Sequence, residues 1–112
     1  MFTMALGTLR AATPDDLPAL RALIDRSVRG LSTGVYDARQ IESALHHVFG
    51  PDTQLIADRT YFVIEENGKL VASGGWSRRR TLYGGDQHKS GADPILDPHV
   101  DAARIRAFFV HP

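Results

Sequence analysis

Asn67-Gly68 sits between two runs of strand-forming residues, Thr60 to Glu66 and Lys69 to Tyr83. The first run is rich in aromatic and β-branched side chains, and an Asn-Gly pair suits the tight turn of a hairpin. The spacing therefore predicts an antiparallel hairpin at the centre of the chain, and the remaining elements have to be arranged around it. Upstream the period is different. Leu17, Leu20, Ile24 and Leu31, with Leu23 and Val28 beside them, recur at helical spacing. Thr13-Pro14-Asp15-Asp16 supplies the start of that helix. Thr13 can cap, Pro14 suits the first position, and Asp16 can reach back as in a capping box. Gly30 is the predicted stop. Asp37 caps a second helix with Ile41, Ala44, Leu45 and Val48 on its inner face, and Gly50-Pro51 ends it.

Leu6 to Ala12 forms a first strand ahead of these helices. After the hairpin, Gly84 to Asp101 reads as a long loop, and Arg104 to Val110 as a fourth strand. The order is strand, two helices, hairpin, loop, strand. This predicts an α/β (α+β) domain over residues 1–112, with a sheet of about four mostly antiparallel strands.

Composition narrows the partners. Thirteen basic residues balance thirteen acidic ones, so no global field draws the chain to nucleic acid or to an anionic membrane. The absence of cysteine removes disulfides and thiolate chemistry and agrees with a cytoplasmic protein. The amino-terminal residues show neither a signal peptide nor a membrane span. His46 and His47 are adjacent on a helix and cannot face one site together. With His88 and His99 in the loop and His111 at the end, no zinc spacing results and no metal is expected.

The last strand breaks its own alternation. Its apolar anchors Ile105, Phe108 and Val110 are separated by three residues and then two. One extra residue between Ile105 and Phe108 is what a β-bulge requires; the other reading of the same spacing is a slightly irregular core strand, with Ala107 and Phe109 covering both faces. Here the chain resembles the GNAT acetyltransferases. Ala103-x-Ile105-x-x-Phe108-x-Val110-x-Pro112 is similar to that family's fourth strand. Leu9 to Leu20 is similar to its first strand and helix, and Tyr61 to Trp76 to its hairpin. The resemblance implies a partial GNAT fold and transfer of an acetyl group from acetyl-CoA to an amine, either a small molecule or a peptide. It also implies that main-chain groups of Phe108, Phe109 and Val110 bind the cofactor's pantetheine arm and polarise its thioester carbonyl.

On the same resemblance, Tyr36, Trp76 and Arg78 line the acceptor side, while Arg79 and Arg80 read as a solvated strand end. Asp86 and Asp101 are unsupported candidates for a general base, and the catalytic residue is unknown. The family's pyrophosphate loop, Gln/Arg-x-x-Gly-x-Gly/Ala, does not occur in these residues. The expectation is a truncated acetyltransferase-like chain that binds acetyl-CoA weakly and has little activity alone. The alternative is a non-catalytic assembly or binding domain built on the same half-fold. An open fourth-strand edge further predicts a homodimer through Arg104 to Val110.

Overall fold

The computed structural model describes residues 7–80, 85–86 and 94–112. Strands β1 (Thr8–Ala11), β2 (Tyr61–Glu66), β3 (Lys69–Ser77) and β4 (Arg104–Val110) form one antiparallel sheet in the order β1-β2-β3-β4. Asn67 and Gly68 make the turn between β2 and β3 with φ of 52° and 77°, the left-handed conformations that a tight hairpin demands. Helices α1 (Leu17–Ser32), α2 (Ala38–His47) and α3 (Thr53–Ala57) cover one face. Leu20 of α1, with Leu55 and Ile56 of α3, packs on Tyr61 and Val63 of β2. Ile24 and Val28 of α1 pack with Ile41 of α2, and Phe109 of β4 lies against them.

The helix starts follow the expected chemistry. Pro14–Asp16 forms a single 3-10 turn ahead of α1. The Thr13 amide donates to Asp16 at 2.8 Å, and Arg10 adds two bonds of 2.8 Å to the same carboxylate. These bonds, Arg10's above all, pull the Asp16 carboxyl down to about 2. Asp37 caps α2 by accepting the Gln40 amide at 2.8 Å, and the Gln40 side chain accepts the Asp37 amide at 3.0 Å.

The structure departs from the sequence reading at several points. Gly30 does not stop α1, which continues to Ser32. The glycine is needed for another reason: a Cβ there would lie 2.3 Å from the Pro112 ring, where the chain end crosses the helix. Leu31 is exposed rather than on the buried stripe. Helix α3 was not anticipated, although Asp52, which accepts the Gln54 and Leu55 amides, is an ordinary cap.

Strand β3 ends at Ser77, whose hydroxyl accepts the Arg79 amide at 2.9 Å. Beyond it, the Arg78 carbonyl and Arg80 amide pair with Leu96 and Pro94 of the returning chain. Residues 81–83 of the predicted long strand, and 84 and 87–93 of the predicted loop, lie outside the described residues. Arg79 is not a solvated strand end. It forms an ion pair with Asp58 in which the two side chains are only 15% and 5% exposed, and its hydrogen bonds hold the Asp58 carboxyl below the usual range.

A second buried pair ties β4 to α3. Arg106 reaches the Asp52 carboxylate at 3.3 Å, with side-chain exposures of 3% and 0%. Such a pair is a weak source of net stability but costly to break on one side, because the surviving charge stays buried.

A braced bulge at the sheet edge

Of the two readings of the anchor spacing, strand β4 carries the bulge. Ser73 of β3 stands opposite Phe109, whereas Gly75 stands opposite Arg106. Two steps on β3 thus match three on β4, which inserts one residue into the edge strand. Ala107 takes up the insertion with φ of 58°. As a result Arg106 and Phe109 point toward the helices, while Ile105, Phe108 and Val110 point the other way and are exposed.

A left-handed backbone costs a residue with a Cβ about 1–2 kcal/mol, so something has to hold Ala107 there. Tyr61 is buried to 1% exposure at the start of β2, and its hydroxyl lies 2.9 Å from the Ala107 carbonyl and 2.8 Å from Ser73 Oγ. A carbonyl can only accept, so Tyr61 donates to Ala107 and Ser73 donates to Tyr61. Burial pushes the Tyr61 hydroxyl up to about 12, which keeps the donor protonated. A hydrogen bond is worth roughly 0.5–1.5 kcal/mol net, similar in size to the strain it opposes.

The outer side of β4 has no neighbouring strand among the described residues. The His111 amide donates to the Val71 carbonyl at 2.9 Å. By the two-residue alternation of a ladder, Phe109 also faces β3 and Val110 faces outward. The Val110 amide is taken up by Ser27 of α1 at 3.2 Å. The exposed sheet face is a groove of about 430 Å³ lined mainly by Phe62, Ile64, Trp76, Ile105, Phe108 and Val110. Gly74 lets the Phe108 ring lie flat on β3, since a Cβ there would meet the ring at 2.7 Å.

Of the residues singled out from sequence, Trp76, Phe108 and Val110 meet in this groove. Phe109 turns inward against Phe49, with ring centroids 6.1 Å apart. Arg78 is exposed beyond the end of β3, and Tyr36 is exposed between α1 and α2; neither lines the groove. Asp86 accepts bonds from the Thr53 amide and hydroxyl, and Asp101 accepts from the Asp97 amide. Sequence reasoning missed Tyr61, Ser73 and Ser27. All three are buried hydroxyl residues; strand alternation could have placed Tyr61 and Ser73 inward, and helical spacing Ser27. Among the described residues no three His, Cys, Asp or Glu side chains converge, and no helix is long and apolar enough to cross a membrane.

No family model and no curated protein matches the chain. A solved structure does: the PaiA N-acetyltransferase from Thermoplasma acidophilum in complex with coenzyme A. It superposes with a TM-score of 0.59 at 11% identity, over 97% of this chain and 60% of that one. The chain thus spans about 60% of the length of the enzyme it resembles. At that identity the likeness is one of fold, and the four-stranded antiparallel sheet with its helices is a partial GNAT fold.

Proposed function

We propose that this chain is the acetyl-CoA-binding portion of a GNAT-type N-acetyltransferase. The observation that carries the reading is the bulge at Ala107 in an edge strand. A bulge turns main-chain donors out of the ladder, where they can meet an extended ligand with amides of its own. The coenzyme A bound to the structural neighbour is such a ligand. In this reading the Phe108 amide donates to the thioester carbonyl as charge builds on its oxygen. The Val110 carbonyl flanks the pantetheine arm, while Phe109, whose main chain is turned toward β3, sits behind it. The acceptor's nitrogen attacks the thioester carbon, the C–S bond breaks, and the acceptor's proton leaves as the amide and the free thiol form. Trp76 borders the acceptor's approach, with Arg78 and Tyr36 further out.

These 112 residues hold no Gln/Arg-x-x-Gly-x-Gly/Ala segment. Charge-assisted hydrogen bonds contribute roughly 1.5–3 kcal/mol each, so lacking two or three weakens binding about a thousandfold. The chain alone is accordingly a weak binder with little activity. Amide NMR shifts followed during an acetyl-CoA titration test both points. We expect movement centred on Phe108 and Val110 only at high ligand concentration. Shifts confined to other strands would overturn the site, and tight stoichiometric binding would overturn the weakness. The absence of cysteine supports a cytoplasmic setting.

A second reading is favoured by the continuity of the bare groove with the free edge of β4. A second copy adding its own β4 would pair the open edge and cover part of the apolar face. Light scattering tests this homodimer, and a monomer at high concentration would count against it.

A further inference from the structure

We infer that Tyr61 is a positioning residue, backed by Ser73, which aims the Phe108 amide out of the sheet edge. The inference rests on the reading of Phe108 as the thioester donor, and it concerns how that donor is held. A trans peptide is planar, with its C=O and N–H on opposite sides. The peptide joining Ala107 to Phe108 has its carbonyl bound by the Tyr61 hydroxyl at 2.9 Å. Its N–H therefore points away from Tyr61, toward the outer side of β4. The hydroxyl's orientation is not left to chance. Ser73 Oγ, 2.8 Å away, donates to the phenol oxygen and leaves the phenol proton for Ala107.

The brace has a second contact. The Phe108 ring lies on Gly74, directly across the bulge. The residue that offers the amide is thus held from the buried side through the preceding carbonyl, while its own ring rests on Gly74 on the open side. Tyr61 is far from solvent and has no access to a ligand of its own. Its effect on chemistry passes through the orientation of one peptide. An amide pre-aimed in this way needs no reorganisation when the thioester oxygen gains charge.

Tyr61→Phe and Ser73→Ala test the inference. In the unliganded chain, the amide-to-α-proton coupling of Ala107 reports its φ, and the dipolar coupling of the Phe108 N–H reports its direction. Tyr61→Phe is expected to move both toward extended-strand values while the hairpin resonances around Asn67 stay in place. Ser73→Ala should move them the same way by less. With ligand, Tyr61→Phe should lose roughly tenfold of the preference for acetyl-CoA over CoA, the size of one hydrogen bond to the thioester oxygen. Affinity for CoA itself should hold within about twofold.

A folded Tyr61→Phe chain with unchanged Ala107 and Phe108 couplings overturns the brace. If Tyr61→Phe does not fold, as judged by circular dichroism, an unchanged Ser73→Ala chain overturns it instead. A native chain that does not distinguish acetyl-CoA from CoA defeats the thioester reading, and the ligand-free couplings then decide the brace alone.

Discussion

Gly74 and Gly75 are neighbours on β3, yet they answer to opposite faces of the sheet. A Cβ on Gly75 would come within 2.2 Å of the Thr60 carbonyl oxygen, in the backbone just ahead of β2. A Cβ on Gly74 would meet the Phe108 ring at 2.7 Å on the bare face. The backbone cannot yield, whereas the ring belongs to a residue that is 66% exposed and can swing into solvent. The covered face carries buried polar pairs: Asp52 with Arg106, Tyr61 with Ser73 and the Ala107 carbonyl. The other face is largely apolar, and among the described residues nothing lies over it. One face holds the fold, and the other presents the edge strand whose main chain is proposed to act.

Substitutions on the two faces should differ in cost. The largest effect is expected for Asp52→Ala, which strands the Arg106 charge and removes the α3 cap. A stability loss of about 3–5 kcal/mol by urea denaturation is expected. A loss below about 1 kcal/mol would show that the covered face tolerates a buried charge. Next comes Gly75→Ala, with a cost of about 3 kcal/mol from overpacking against β2.

Asp16 falls from an ordinary 3.8 to about 2 in the folded chain. A depressed carboxyl stabilises the fold fully above its unfolded pKa, and that stability is lost as pH falls through the folded value. Arg10 is 35% exposed, and screening trims the effect to about 1–2 kcal/mol. Stability should therefore drop between pH of about 4 and about 2. Asp16→Asn should flatten this part of the curve, and an unchanged curve would remove Asp16 from the account. Asp58, also depressed by its arginine, titrates in the same direction and leaves a residue of the effect. The smallest effect is expected on the bare face. Gly74→Ala should cost under about 1 kcal/mol of stability while displacing the Phe108 ring. Its signature is a changed environment for Phe108 resonances with a nearly unchanged denaturation midpoint.

Much of the fold was legible because the relevant signals are local. Asn67-Gly68 demands left-handed residues whatever surrounds it, and Asp37 with Gln40 forms its capping box within four residues. Gly30 misled because a helix-stop signal and a close-approach requirement look the same in one dimension; Pro112 comes to it only through the tertiary fold. The end of β3 at Ser77 was hidden for a like reason, since the returning chain at Pro94 and Leu96 takes over the pairing. Arg79 reads as solvated until Asp58 is brought beneath it. In the candidate site, the step of three between Ile105 and Phe108 announced the bulge, because a two-residue alternation cannot absorb an odd insertion unseen. Tyr61 and Ser73 gave no comparable signal, for a hydroxyl on an inward strand position has many uses.

The sequence by itself determined the order and kind of the main elements, the hairpin and the extra residue in β4, because each depends on backbone preferences or side-chain period over a few residues. That Ala107 carries the strain, that Tyr61 holds its carbonyl, and that Trp76, Ile105 and Phe108 share one exposed groove came only from the fold. Those facts depend on which groups from distant segments come within hydrogen-bonding or packing distance, and no spacing along the chain encodes that.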